Sequence, residues 1–137
     1  MDSSDLKIIR MLLKDARVPL SEMARQLGIS QPAAQKRIEK LKANSIITGS
    51  AITLNNSKIG WKRAIVALNV RKVAYDNVLN ALAKLPLVMG IYQTTGPYAI
   101  TVELLGPAGV VNGLITHIKK MKGVTECCPI SMAEKVL

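Results

Sequence analysis

The sequence predicts an α+β protein, with an N-terminal winged helix-turn-helix domain followed by a ferredoxin-like βαββαβ domain. Residues 20–41 show two short helical patterns joined by a glycine, and the second pattern is rich in basic residues. Beyond residue 60, strand and helix patterns follow the order β-α-β-β-α-β, the split βαβ arrangement. The 137 residues carry a formal net charge of +10, which favours a polyanion as the partner.

A first helix is expected to begin after Asp2. Asp5 follows three residues later, so the pair resembles a capping box, in which each side chain accepts a hydrogen bond from the other residue's backbone. The apolar residues of this segment supply its buried side: Leu6, Ile9, Met11, Leu12 and Leu13. This helix is expected to support the two helices that come after it.

Two capped helices are expected next. Ser21 is expected to cap the second helix, and Gly28 is the residue type best able to end it in a left-handed conformation. Ser30 is expected to cap the third helix, and Pro32 lies in its first turn, where a missing N–H has no cost. The spacing i, i+4, i+7 then predicts the buried stripe of the third helix: Ala34, Ile38 and Leu41.

The outward face of the third helix carries residue types that read DNA. Glutamine pairs with base edges in the major groove, small residues allow close approach, and lysine and arginine neutralise phosphates. The candidate DNA-binding residues are Ser30, Gln31, Ala33, Gln35, Lys36, Arg37 and Lys40. The alternative interpretation is a solvated basic face on an ordinary pair of helices. The two caps, the glycine turn and the buried stripe, all in register, favour DNA binding.

The domain boundary is predicted from the composition of residues 44–60. Asn44 is expected to end the third helix in a left-handed conformation, and residues 46–54 are typical of strand interrupted by a turn, as in a wing. The DNA-binding domain is therefore expected to cover residues 1–54. Residues 55–60 have turn composition and are interpreted as a linker to a second domain over residues 61–137.

The second domain is expected to be an antiparallel sheet with two helices on one face. The expected elements are strand 64–70, helix 76–85 stopped by Pro86, strands 87–95 and 98–105, a helix after the turn Gly106-Pro107, and strand 124–132. Apolar residues lie on both sides of the strands, for example Ile65 beside Val66. Since the helices cover only one face, the other face is expected to be covered by a partner subunit.

Several function classes are excluded by motifs and residue types that the sequence lacks. No stretch approaches 18 apolar residues and no signal peptide is evident, so a cytoplasmic protein is expected. Cys127 and Cys128 are adjacent on a predicted strand and cannot form an ordinary disulfide with each other. The single histidine, His117, makes a structural zinc site improbable. We expect no metal, no cofactor and no catalytic residue, because nucleophile and phosphate-loop motifs are absent.

The whole arrangement resembles the Lrp/AsnC (feast/famine) family of transcription regulators. The segments that carry the resemblance are Asp2 to Leu13, Asp15-Ala16-Arg17, Leu20 to Leu41, Ile46-Ile47-Thr48-Gly49, Lys58-Ile59-Gly60, Thr95-Gly96-x-Tyr98 and the strand from Val124. The resemblance covers nearly the whole chain. It implies homodimers joined through effector-sensing second domains, assembly into higher even-numbered oligomers, and binding of amino acids or related metabolites between dimers.

The turn that the resemblance implies as the effector site departs from the family pattern. The candidate effector-binding residues are Thr95, Gly96, Pro97, Tyr98 and Ala99. The family commonly has Gly-Asp-Tyr/Phe-Asp here, so Pro97 and Ala99 replace both acidic residues. A desolvated ammonium group needs a carboxylate partner, and the loss of both weakens the case for a free amino acid as the effector.

The function expected from the sequence is therefore a non-enzymatic, sequence-specific regulator that binds duplex DNA. One alternative is a weakly specific architectural DNA-binding protein. The charge, +5 on residues 1–60 and +5 on residues 61–137, supports a polyanion as the partner without locating its site. A more remote alternative is a sirohaem decarboxylase, a type of enzyme with an Lrp-like fold. His117, at a lysine-flanked helix end, is more typical of a surface residue than of a ligand or base.

Overall fold

The computed structural model describes residues 1–133, and the chain divides into two compact units, Met1–Thr53 and a second unit from Leu54 onward. The first unit contains α1 (Ser3–Lys14), α2 (Leu20–Leu27) and α3 (Gln31–Ala43). The second contains β1 (Trp61–Val70), α4 (Tyr75–Ala83), β2 (Val88–Gln93), β3 (Ile100–Pro107), α5 (Ala108–Lys119) and β4 (Val124–Met132). The expected α+β class and the βαββαβ order are confirmed. The last residues of the predicted second domain, 134–137, lie outside the described residues.

The core of the first unit takes one large side chain from each of its helices. Ile8 from α1, Met23 from α2 and Leu41 from α3 are buried together. Ala34 is also fully buried, and Ile38 packs against the same cluster, so the predicted stripe of α3 is confirmed. Since the stripe faces α1 and α2, the opposite side of α3 is left to solvent.

Three of the predicted caps are present. Asp2 and Asp5 form the capping box, with N–H to carboxylate distances of 2.9 and 3.0 Å. The Ala33 N–H donates to Oγ of Ser30 at 3.3 Å. Gly28 ends α2 with φ 66°, in the left-handed region that glycine enters without steric cost.

Two predictions about helix ends are wrong. Ser21 does not cap α2, because the helix begins at Leu20, after Pro19 in extended conformation, which places Ser21 inside the first turn. Asn44 does not adopt the left-handed conformation, since its φ is −85° and Ser45 takes φ 55° instead. The reversal therefore comes one residue later than predicted, and the Ile46 N–H bonds to the Leu41 carbonyl.

The predicted strand over residues 46–54 is also wrong. The segment contains no strand, and Ile52 is largely exposed. A strand needs a neighbour for its backbone N–H and C=O groups, and the elements of the first unit are all helices. The strand composition of this segment is therefore not realised within the described part of the chain.

The second unit is a four-stranded sheet in the order β2-β3-β1-β4, and every neighbouring pair is antiparallel. One face packs under both helices, with Val78 and Leu82 of α4 and Val111 and Ile118 of α5 fully or almost fully buried. The prediction that two helices cover one face is confirmed. The predicted linker, residues 55–60, contains a single 3-10 turn at Ser57–Ile59 that leads into β1.

The predicted turn at Gly106-Pro107 belongs instead to the end of β3. Gly106 pairs with Lys62 of β1, and α5 begins directly after Pro107. A Cβ on Gly106 would approach within 2.5 Å of the Leu87 side chain. Close packing of Leu87, rather than a chain reversal, therefore accounts for glycine at this position.

Candidate nucleic-acid interface

The solvent side of α3 forms one continuous polar face. Gln31, Gln35, Lys36 and Lys40 are all exposed, and Ala33 beside them is half-buried. Residues spaced three and four apart lie on the same side of a helix, so the structure brings these predicted site residues together. We call this set, together with Ser30, the α3 face.

The positive end of α3 is not neutralised by an acidic residue. The first turn holds no aspartate or glutamate, and the Ser30 hydroxyl cap is uncharged. The free N–H groups and the helix dipole therefore favour an anion at this end. A phosphate group is the anion that a DNA duplex would present.

The polar side chains of the α3 face differ in whether they already bond to other residues of the chain. Lys36 and Lys40 make no ion pair within residues 1–133. The Gln35 amide nitrogen donates to Glu39 at 2.9 Å, which leaves its carbonyl oxygen as a free acceptor. The lysines are thus available to phosphates, whereas Gln35 is held in one orientation by its neighbour.

Arg37 has a role that sequence reasoning missed. Its Nη1 donates to Oδ2 of Asp2 at 2.7 Å and to Oδ1 of Asp5 at 2.8 Å, and Asp5 is buried. One guanidinium therefore ties α3 to the capping box of α1; we call this the Arg37 clamp. No local sequence pattern predicts these contacts, since Asp2 lies 35 residues and Asp5 lies 32 residues before Arg37.

The clamp shifts the ionisation of its members. The pKa of the Asp5 carboxyl is lowered, first by the hydrogen bond from the Asp2 backbone and then by the bond from Arg37. The pKa of Asp2 is lowered in the same way, by the Asp5 backbone and by Arg37. Both carboxylates therefore favour the folded state in their charged form.

The candidate effector turn is held by the Asn69 side chain, a contact that sequence reasoning also missed. Nδ2 of Asn69 donates to the Pro97 carbonyl and to the Glu126 carboxylate, both at 2.7 Å. Oδ1 of Asn69 accepts from the Ala99 N–H at 3.1 Å, and Gly96 has φ 122°. The turn is thus fixed to β1, and the Glu126 carboxylate of β4 is joined to it only through Asn69.

Among the predicted effector residues, Thr95, Gly96 and Pro97 are exposed, whereas Tyr98 and Ala99 are half-buried. Tyr98 does not join the core, and the neighbouring Cys128 thiol raises the pKa of the Tyr98 hydroxyl.

Burial raises the pKa of the Cys127 thiol, which faces the core. The two cysteines therefore lie on opposite sides of β4, as their adjacency predicts.

The sheet face opposite the helices is mostly apolar and partly open, and it also carries the Arg63–Glu103 ion pair. Ile65 of β1 pairs with Ile130 of β4, and Ala67 pairs with Cys128. Ala67 is buried in the single chain, but Ile130 is 52% exposed. We call this surface the outer sheet face; its further apolar members include Trp61, Tyr92, Leu105 and Met132.

Known proteins share both the sequence and the fold. The AsnC-type helix-turn-helix domain matches residues 1–42. The transcriptional regulator LrpA of Pyrococcus horikoshii is 32% identical over 139 residues, covering 99% of each chain. The chain belongs to the Lrp/AsnC family. The regulatory protein AsnC of Haemophilus influenzae is 35% identical over 107 residues, 77% of this chain and 71% of that protein.

The Lrp/AsnC fold also extends over both units. The structure of Escherichia coli AsnC matches with a TM-score of 0.77 and 25% identity, covering 100% of this chain and 95% of that one. The resemblance stated from the sequence is therefore confirmed, and the chain is a helix-turn-helix transcription regulator of this family. Within residues 1–133 we find no helix with the length and apolar character needed to cross a membrane.

The Arg37 clamp predicts a specific loss of stability. Arg37→Gln is expected to lower the urea midpoint at pH 7, whereas Lys7→Gln, which removes a charge with no ion pair among residues 1–133 from α1, is expected to leave it almost unchanged.

Because the folded-state pKa values of Asp2 and Asp5 lie below 3.8, the stabilisation from these two carboxylates is complete above that pH and is lost as pH falls through the lowered values. Wild type is therefore expected to lose more stability between pH 5 and pH 2 than Arg37→Gln.

Urea titrations at several pH values test this prediction. Equal midpoints for wild type and Arg37→Gln at pH 7, together with a weaker salt dependence of DNA binding in the variant, would assign Arg37 to phosphate contact instead.

Proposed function

We propose that this Lrp/AsnC regulator binds duplex DNA sequence-specifically by placing the α3 face in the major groove. The observation that carries the proposal is the combination of two exposed glutamines and two lysines on one side of a helix whose first turn holds no acidic residue; neither lysine has an ion-pair partner among residues 1–133. A major groove admits one α-helix, and glutamine offers the paired donor and acceptor that distinguish adenine. A solvated basic face needs neither the glutamines nor the open helix end.

Each residue of the α3 face has a distinct proposed role. Gln31 and Gln35 contact base edges, and Lys36 and Lys40 neutralise phosphates. Ala33 allows close approach or touches a thymine methyl group, and Ser30 orients the helix end through its cap. The sequence also predicts Arg37 as a DNA contact, but the clamp supports a role in holding α3 against α1.

Lysine and glutamine variants should separate affinity from specificity. Lys36→Ala and Lys40→Ala are expected to weaken binding to specific and random duplexes alike, and each should reduce the slope of log K against log salt by about 0.9. Gln35→Ala is expected to cost about 1–3 kcal/mol of discrimination between sites with little change in slope. Fluorescence anisotropy at several salt concentrations measures both, with Lys7→Ala as the matched control. The assignment of α3 fails if all three variants bind as wild type does.

The outer sheet face supports a second proposal, that the protein is a homodimer joined through its second units. Ile65, Tyr92, Ile130 and Met132 form an apolar surface that the chain's own helices do not cover. A two-fold dimer uses the same patch on both copies and supplies two recognition helices to one duplex. Half-sites are then expected about one helical turn apart or at a multiple of it.

The dimer proposal is tested by introducing a charge on this face. Ile130→Asp is expected to raise the dissociation constant of the dimer about a hundredfold, since an unpaired charge buried at an interface costs about 3 kcal/mol. Val73→Asp makes the same charge change on the segment between β1 and α4, where the side chain is 91% exposed, and is expected to leave the dimer intact. Light scattering over a range of concentrations decides. A monomeric wild type, or equal effects of both variants, would contradict the proposal.

The turn at residues 95–99 is proposed as the effector position, with an altered preference. The turn itself contains no carboxylate, and Glu126, the carboxylate nearest to it through Asn69, already accepts a hydrogen bond. A free amino acid would therefore find a weaker partner for its ammonium group than two aspartates provide.

A thermal-shift panel of the common amino acids tests this preference. Wild type is expected to show no shift, whereas a ligand at a hundred times its dissociation constant would add about 2.7 kcal/mol of stability. Pro97→Asp combined with Ala99→Asp restores the two carboxylates and is expected to create measurable binding. A clear shift of wild type with any one amino acid would show that backbone groups and neighbouring subunits suffice.

The proposal as a whole is a non-catalytic regulator acting in the cytoplasm. His117 lies exposed in the last turn of α5, and this position supports a surface role rather than a tetrapyrrole site. The architectural alternative retains one supporting observation, the large positive charge of the second unit. The ratio of specific to random-duplex affinity at one stated salt concentration separates the two.

A further inference from the structure

Much of the positive charge of this regulator lies outside its helix-turn-helix unit. From Leu54 onward the sequence holds ten of the 19 lysines and arginines but four of the nine acidic residues. In the first unit, Arg25 and Arg37 are held in ion pairs with their own chain. The unit that does not carry α3 therefore has the larger charge excess.

Five of these basic residues come together at one end of the sheet. Arg71 and Lys72 follow the last residue of β1, and Lys119, Lys120 and Lys122 lie just before the first residue of β4. These two strand ends are neighbours, because Val70 pairs with Val124. We call the five residues the basic end.

The backbone holds the two segments of the basic end in close contact. The Arg71 N–H donates to the Gly123 carbonyl at 2.8 Å. Gly123 has φ 101°, and a Cβ at this position would lie 2.4 Å from Cβ of Ala74. Gly123 and Ala74 are thus too close together for a larger residue at position 123. The backbone contacts between the two segments keep the five basic residues at the same end of the sheet.

The side chains of the basic end are not used within the chain. All five are exposed, and none makes an ion pair or a side-chain hydrogen bond among residues 1–133. Glu126, the next acidic residue along β4, is engaged by Asn69. The dipole at the end of α5 accounts for Lys119 and Lys120 but not for the other three residues. Five like charges held together repel one another. This repulsion raises the electrostatic free energy of the folded protein, and binding of an anionic partner would lower it again.

We propose that the basic end binds the phosphate backbone of duplex DNA, as a second contact surface in addition to the α3 face. This inference rests on the proposed DNA-binding function. Exposed basic side chains suit a regular array of phosphates better than a small anion, which needs converging donors. Duplex DNA offers one charge per about 1.7 Å of its axis, so several of the five residues can neutralise phosphates together.

Salt dependence measures how many phosphates the basic end contacts. The triple variant Lys119→Gln, Lys120→Gln and Lys122→Gln is compared with Lys58→Gln, Lys62→Gln and Lys84→Gln, which removes equal charge from the opposite end of the same unit. Full-length proteins are titrated against one random duplex of about four helical turns. The basic-end variant is expected to lose about 0.9 in slope for each phosphate contact removed, up to about 3, while the control keeps the wild-type slope. Equal slopes for the two variants would overturn the proposal.

Lysine acetylation with and without the duplex gives a direct readout on the wild-type protein. Lys119, Lys120 and Lys122 are expected to be protected by DNA together with Lys36 and Lys40, whereas Lys84 is modified at the same rate in both samples. If Lys36 and Lys40 are protected and the basic end is not, this inference is wrong and the proposed function stands. If the protein binds no duplex and no lysine is protected, the proposed function itself fails. Protection of the basic end that is already complete without DNA would assign it to a protein interface and overturn the inference.

Discussion

The burial of one narrow stripe of α3 against α1 and α2 is the constraint on which the proposed DNA-binding surface depends. A helix of 13 residues cannot bury Ala34 and Leu41 without turning Lys36 and Lys40 to the opposite side. The fully buried Ala34 also brings α3 close to its neighbours, and the Arg37 clamp then fixes it to α1. A surface that bonds to base edges needs this rigidity, because small displacements of the helix break the hydrogen bonds to the bases.

In the second unit, too, burial of one side of an element leaves the other side as a surface; here the element is a sheet. Its helices pack on one face, as the buried Val111 and Ile118 show, and the opposite face is proposed as a surface for a partner. The turn at residues 95–99 is attached to that sheet through Asn69, which bonds both to the turn and to Glu126. A molecule bound at the turn would therefore act on groups of β1 and β4, which also form the outer sheet face.

Positive charge in this protein has two different uses, and pairing distinguishes them. Arg25, Arg37 and Arg63 are each within ion-pair distance of a carboxylate of their own chain, and they stabilise or orient local structure. The lysines of the α3 face and of the basic end have no such partner among the described residues. Because they have no carboxylate partner among those residues, these lysines keep their attraction for a polyanion.

The sequence by itself determined the order of the elements, the caps at Asp2 and Ser30, the glycine turn and the buried stripe of α3. These features depend on contacts between residues three or four positions apart, whose geometry a local pattern contains. Tertiary structure alone decided that residues 46–54 form no strand, that Gly106 serves packing, and that Arg37 and Asn69 bind partners about 30 or more positions away. Strand pairing, close packing and long-range ion pairs depend on which surfaces meet after folding, and no local spacing records that.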